Sequence, residues 1–102
     1  MKIYLSGPMT GLPNNNYPAF NEAARKLRAK GYRVLNPAEI EPPEIPTWKN
    51  YMRECIKMLM SANAVAMLPG WSQSRGASIE VDLALNLGMP AVCADELNGV
   101  SA

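Results

Sequence analysis

A chain of 102 residues, 48% hydrophobic and 19% charged, has the make-up of one globular domain spanning residues 1–102, with a core burying roughly two-thirds of the unfolded surface. Its formal net charge of +1 gives no electrostatic case for a nucleic-acid polymer or a membrane surface as partner. There is no histidine, the two cysteines (Cys55 and Cys93) stand far apart, and Asp82 and Asp95 are the only aspartates; this excludes Ser-His-Asp and Cys-His catalysis, histidine metal sites and C-x-x-C redox chemistry.

Any acid or base work therefore falls to carboxylates, tyrosines or lysines. No apolar run approaches the ~20 residues of a membrane-spanning helix, and Met1–Leu5 is too short for a signal peptide. A cytoplasmic location is expected.

In chain order, Lys2–Leu5 reads as a short strand running into Ser6-Gly-Pro-Met-Thr-Gly11, a turn-rich loop. Leu12-Pro-Asn-Asn-Asn16 is too polar and too broken to be regular. Pro18 suits a first helical position, after which Phe20, Ala23, Ala24 and Leu27 mark one face and Gly31 supplies a stop. Tyr32–Leu35 is a second strand.

Asn36–Pro46 is a proline-rich connection, long for a compact domain. Thr47 caps a second helix with apolar positions at Trp48, Tyr51, Met52, Cys55, Ile56 and Leu59. On the same helix Lys49, Arg53 and Lys57 form an i,i+4 stripe that reads as a solvated face. Ala64–Leu68 is a third, buried strand. Val81–Leu87 is a third helix and Ala91–Ala94 a fourth strand, while Glu96–Ala102 carries no signal.

Strands alternating with helices predict an α/β domain with a parallel sheet covered on both faces. Ligands of such sheets bind beyond the carboxyl ends of the strands, where strand order reverses. That rule sets the loop after Leu5 beside the loop after Leu68.

The second of these loops, Trp71-Ser-Gln-Ser-Arg-Gly-Ala-Ser-Ile-Glu80, is the richest in chemistry. Ser72, Ser74 and Gly76 have the hydroxyls and backbone N–H groups to cradle a phosphate at a helix N-terminus. Equally, Ser74 can be a plain N-cap and Gly76 a turn residue. The loop is not a Walker A sequence, because Gly-Lys-Ser/Thr is absent.

Glu80 can be a dipole-complementing acid, but a capping box would place Ser or Thr at position 77, and Ala77 stands there. Asp82 is turned about 200° from Glu80 on a helix and reads as solvated. Tyr4 is by default a core tyrosine; it orients Glu80 if the first and third strands are neighbours. The seven methionines fill core and interface gaps.

Three segments together resemble the nucleoside 2-deoxyribosyltransferase superfamily, which includes deoxynucleoside 5′-monophosphate N-glycosidases, and most of all its small bacterial and phage members. They are Ile3-Tyr-Leu-Ser-Gly-Pro-Met-Thr-Gly11, Tyr32-Arg-Val-Leu-Asn-Pro37 and Leu68-Pro-Gly-Trp-Ser-Gln-Ser-Arg-Gly-Ala-Ser-Ile-Glu80. With Ala84 and Leu-Gly-Met-Pro90 the resemblance covers nearly the whole chain. The Ser74, Gly76, Glu80 spacing is its most specific part.

The resemblance implies a Rossmann-like (flavodoxin-like) three-layer sandwich with a short, mainly parallel sheet of four to five strands. It implies an enzyme that hydrolyses or transfers the base of a nucleoside 5′-monophosphate or related nucleotide. Glu80 would be the nucleophile and Tyr4 the group that holds it. Ser74 and Gly76 would bind the 5′-phosphate, with Gly70, Trp71, Ser72 and Ala77 as further substrate-binding residues of that loop. Ser6, Gly7, Pro8, Met9 and Thr10 would line the base and sugar pocket. The implied partner is a small-molecule nucleotide or nucleoside, the assembly a homodimer or higher homo-oligomer, with no cofactor or metal.

The chain departs from that family's pattern at two positions. Cys55 stands near where an aspartate usually serves the leaving base, and Asn63 where another aspartate opens the third strand. Glu54 is turned about 100° from Cys55. Glu39, Glu41 and Glu44 are possible substitutes, and nothing in the sequence selects among them. A rival reading follows: the same pocket binds or sequesters a nucleotide without turning it over.

Overall fold

In a computed structural model, which describes residues 1–97, four strands form one all-parallel sheet in the order β2-β1-β3-β4. They are β1 (Lys2–Ser6), β2 (Arg33–Leu35), β3 (Ala64–Met67) and β4 (Ala91–Cys93). β1 is central, pairing Tyr4 with Leu35 of β2 on one side and with Val65 of β3 on the other. The helices are α1 (Tyr17–Ala29), α2 (Trp48–Met60), α3 (Arg75–Asn86) and the short α4 (Ala94–Leu97). This is the expected flavodoxin-like arrangement, with four parallel strands among the described residues.

Period-two alternation along β1 sorts the core into two layers. Ile3 and Leu5 face α1 and pack with Phe20, Ala24 and Leu27, while α4 adds Ala94 to the same layer. Tyr4 faces the other way, among Leu59 of α2 and Val81 and Ala84 of α3. A fully buried Leu or Phe in such a layer contributes about 1.5–3 kcal/mol.

Local signals explain most boundaries. Thr47 caps α2, its Oγ1 accepting from Asn50 N at 3.2 Å. Gly31, at φ 97°, follows α1 in a left-handed conformation that favours glycine. The third helix begins at Arg75, six residues ahead of the apolar run Val81–Leu87, because Ser74 caps it.

The two long connections are more ordered than their composition suggests. Pro13–Asn16 forms a short 3₁₀ turn in which Asn14, Asn15 and Asn16 have φ of 52°, 53° and 59°; asparagine is among the few side chains that tolerate that region. Asn16 Nδ2 ties the turn down by donating to the Pro8 carbonyl at 2.9 Å. The proline-rich connection starts with a turn at Pro37–Glu39, where buried Asn36 accepts from Ala38 N and donates to Asn21 Oδ1, both at 3.0 Å.

Candidate functional site

Strand order reverses between β1 and β3, and the segments leaving those strands touch. Leu68 N donates to the Ser6 carbonyl at 2.8 Å. A Cβ on Gly7 would lie 2.8 Å from Leu68 Cβ, so only glycine permits this approach. A Cβ on Gly70, whose φ is +85°, would lie 3.3 Å from Pro8 Cγ. Beyond this junction opens a cavity of about 300 Å³, at the lower end of small-ligand pockets.

Glu80 forms the floor of that cavity. It sits on the inner face of α3 and is only 5% exposed, and its carboxylate is held at both oxygens. Tyr4 Oη donates to Oε2 at 2.5 Å and Ser6 Oγ donates to Oε1 at 2.8 Å. Tyr4 and Ser6 are two residues apart on β1, so both present to the same face of the sheet.

Burial pushes the Glu80 carboxyl above the usual carboxylate range, and the bonds from Tyr4 and then Ser6 pull it part of the way back. Tyr4 is raised well above the ordinary phenol value, by burial first and by the Glu80 charge second. It remains a protonated donor at any physiological pH. Cys55, packed with Tyr4, is pushed up to about 11 by burial and then by Glu80, so its thiol stays neutral.

The walls are largely aromatic. Tyr17 and Phe20 come from α1, and Trp48 and Tyr51 from α2. Met9, Thr10 and Gly7 line the β1 side, and Ser74, Gly76 and Ala77 the α3 side. Of the residues singled out in the sequence, Ser6 reaches the site through Glu80, whereas Pro8, Gly70, Trp71 and Ser72 do not line the cavity. Pro8 and Gly70 brace the loop junction. Trp71 packs against the α2–α3 core layer, and Ser78 Oγ donates to the Trp71 and Ser72 carbonyls at 3.4 and 3.3 Å.

The structure gives Ser74 the cap role that the sequence offered and corrects the turn role offered for Gly76. Ser74 is the N-cap of α3, its Oγ accepting from Ala77 N at 3.3 Å. Gly76 is no turn residue but lies inside α3, where a Cβ would press on Met52 Sδ at 3.1 Å. Its absence lets α2 and α3 close over the cavity.

Asn15, Tyr17, Phe20, Pro37, Trp48, Tyr51 and Met52 also line the cavity and were not singled out. Trp48, Tyr51, Met52 and Cys55 carried a usable signal, since they repeat every three or four residues along one side of α2. The same pattern is what any buried helix face shows.

Among the described residues Glu80 is the one carboxylate that lines the cavity. Glu39 is held by Arg28 at 2.7 Å, Glu54 by Lys57 at 3.2 Å, and Glu41 and Glu44 are exposed and outside the lining. Asn63 is at the far end of the sheet, where its Oδ1 accepts from Lys2 N at 2.8 Å. Asp82 is exposed. No group of three or more Cys, Asp and Glu among the described residues is placed to hold a metal ion.

Arg75, which opens α3, has its guanidinium 4.3 Å from the Trp48 ring centroid, a cation–π contact. It makes no ion pair among the described residues.

Sheet order, helix placement and the buried carboxylate at the switch point define an α/β protein of the flavodoxin-like class. Residues 1–93 match the family described as a domain of unknown function (DUF4406), and the chain belongs to that family. Comparison by sequence with curated proteins finds no match.

Among solved structures, a 2-deoxyribosyltransferase from the psychrotolerant bacterium Bacillus psychrosaccharolyticus superposes with a TM-score of 0.71 at 19% identity, over 90% of this chain and 71% of that one. At that identity the likeness is one of fold. No helix among the described residues is long and apolar enough to cross a membrane.

Proposed function

We propose that this protein is an N-glycosidase that hydrolyses, or transfers, the base of a nucleoside 5′-monophosphate or related nucleotide. The observation that carries the reading is the buried Glu80 carboxylate, held at both oxygens by Tyr4 and Ser6 on the floor of an aromatic-walled cavity. Its likeness in fold to a 2-deoxyribosyltransferase, a biocatalyst for nucleoside synthesis, supports the same chemistry.

Breaking an N-glycosidic bond builds positive charge on the sugar ring. A fixed carboxylate at the anomeric carbon stabilises that charge and then traps the carbon covalently. In this reading Glu80 attacks C1′, the base departs, and water or a second base resolves the glycosyl ester. Tyr4 and Ser6 orient the nucleophile and fix its rotamer. Aromatic walls suit the planar base, and Ser74 with the first N–H groups of α3 suits the phosphate. No step calls for a metal or cofactor.

The protein would act as a homo-oligomer, using the apolar side chains that α3 and its end leave exposed: Ile79 at 40%, Leu85 at 57% and Leu87 at 55%.

A second reading, nucleotide binding without turnover, draws support from the lone cavity carboxylate and from the neutral Cys55 thiol near the position where an acid serves the leaving base in related enzymes. One experiment separates the two. The purified protein is incubated with a panel of ribo- and deoxynucleoside 5′-monophosphates while free base is followed by chromatography. Base release that disappears in Glu80→Ala establishes the glycosidase. Absence of release, with a thermal shift produced by one nucleotide, establishes the binding protein.

A further inference from the structure

We propose that Tyr51 is the proton donor to the departing base, an inference that rests on the N-glycosidase reading. When the C1′–N bond breaks, its electron pair goes to the base nitrogen, which must then be neutralised. Glu80 gives an electron pair to C1′ in the same step and cannot also act as the acid. Tyr4 and Ser6 are already spent on Glu80.

The other O–H and S–H groups lining the cavity belong to Thr10, Tyr17, Tyr51, Cys55 and Ser74. Aliphatic hydroxyls are too weakly acidic to protonate a leaving group, and a thiol is a poor hydrogen-bond donor. Two phenols remain. A phenol holds its proton about as tightly as a departing purine or pyrimidine anion would, which suits the transfer.

Position separates the two. Tyr17 opens α1, the helix on the opposite side of the sheet from Glu80. Tyr51 is on α2, four residues before Cys55, and such neighbours lie one above the other with Cβ atoms about 5–6 Å apart. Cys55 itself packs on Tyr4 and lies within electrostatic reach of Glu80. Moving outward from the nucleophile along α2, the cavity therefore meets Cys55 and then Tyr51. Tyr51, like Tyr17, is half-buried with a hydroxyl that has no hydrogen-bond partner among the described residues, so placement along α2 is what singles it out.

The step balances. Glu80 Oε bonds to C1′ as C1′–N breaks, and the Tyr51 proton passes to the base nitrogen. Water then attacks C1′, releases the Glu80 carboxylate, and returns a proton to the tyrosinate.

The test compares single-turnover rates of wild type, Tyr51→Phe and Tyr17→Phe on two substrates. One is the preferred nucleotide. The other is its activated counterpart, N7-methylated for a purine or 5-fluorinated for a pyrimidine, whose base leaves with little help from a proton. Tyr51→Phe is expected to slow the ordinary substrate by ~100-fold with KM little changed, and the activated one by less than ~5-fold, while Tyr17→Phe leaves that ratio at the wild-type value.

Equal slowing of both substrates, no slowing, or the same pattern from Tyr17→Phe overturns the role. Wild-type protein that cleaves neither substrate overturns the N-glycosidase reading and the inference with it. Cleavage without the Tyr51 selectivity overturns the inference alone.

Discussion

Tyr4 and Glu80, 76 positions apart in the chain, meet at 2.5 Å between the face of β1 and the inner face of α3. The meeting depends on β1 and β3 being neighbours, with Tyr4 in register with Val65, because α3 follows β3 directly across the loop capped by Ser74. A buried carboxylate without partners would take up a proton. Two hydroxyls from one strand hold this one toward its ionised form.

Tyr4→Phe removes the stronger of those two supports. Since the bond from Tyr4 lowers the Glu80 pKa, its loss raises that pKa further. A reaction that needs ionised Glu80 should then lose its acid limb at a higher pH than wild type. The pH profile of kcat/KM should shift to the alkaline side, so that the variant loses more activity relative to wild type at the acid end of the profile than at the alkaline end. An unshifted profile would mean that Tyr4 does not govern the carboxylate.

Glu80→Gln should show a stability difference whose change with pH has a definite sign. Burial gives Glu80 a higher pKa folded than unfolded. Its contribution to stability is therefore complete below the unfolded value, about 4.3, and is lost as pH rises through the folded value. Glutamine does not titrate. Urea unfolding should find the stability difference between the two moving steadily in the variant's favour as pH rises from about 4 to about 8, because only wild type loses stability on ionising the buried carboxyl. A difference that moved in favour of wild type as pH rose would show that the bonds from Tyr4 and Ser6 outweigh the burial.

Gly7→Ala tests the junction that sets the cavity mouth. The new Cβ would meet Leu68 Cβ at 2.8 Å, and that atom is fixed to the backbone at the end of β3, so relief requires the two loops to part. Overpacking of this kind costs about 1–3 kcal/mol. A lower midpoint of thermal unfolding is expected together with a higher KM, because Met9 and Thr10 follow on the displaced loop and line the cavity. Unchanged unfolding would show the loops to be more pliant than their contacts suggest.

Most of the scaffold was readable from the sequence because period and punctuation agree in it. Each buried strand is a short apolar run, and Thr47 and Gly31 mark helix ends in the ordinary way. The switch-point rule sets the two loops side by side, and Tyr4 reaches Glu80 on the condition that β1 and β3 are neighbours, which the sheet order meets. Reading stopped where a side chain's role depends on another element. Gly76 looks like a turn glycine until Met52 of α2 is seen against it, and nothing local in either residue announces that contact.

The aromatic wall was hidden for a related reason. Trp48 and Tyr51 occupy positions that a helix would use for its core, and only the gap between α2 and the β1 loop turns them into a cavity lining. The three left-handed asparagines are similar. Their composition signals irregularity, while the ordered turn depends on the distant Pro8 carbonyl.

Ser74 combines a structural role that is observed with a ligand role that is proposed, and Ser74→Asp separates them. Aspartate is as good an N-cap as serine and favours the positive end of a helix, so the bond from Ala77 N and the start of α3 should survive with little change in thermal stability. A carboxylate at this point would repel a phosphate approaching the same helix end. Calorimetric titration should find the nucleoside 5′-monophosphate bound at least about tenfold more weakly, on the order of 1.4 kcal/mol, while the parent nucleoside binds as to wild type. Ser74→Ala should behave in the opposite way, losing about 1 kcal/mol of stability with the cap and only part of the phosphate affinity, since the helix N–H groups remain. If the aspartate variant bound both ligands like wild type, the phosphate would lie elsewhere, and the Ser74 hydroxyl would be a cap alone.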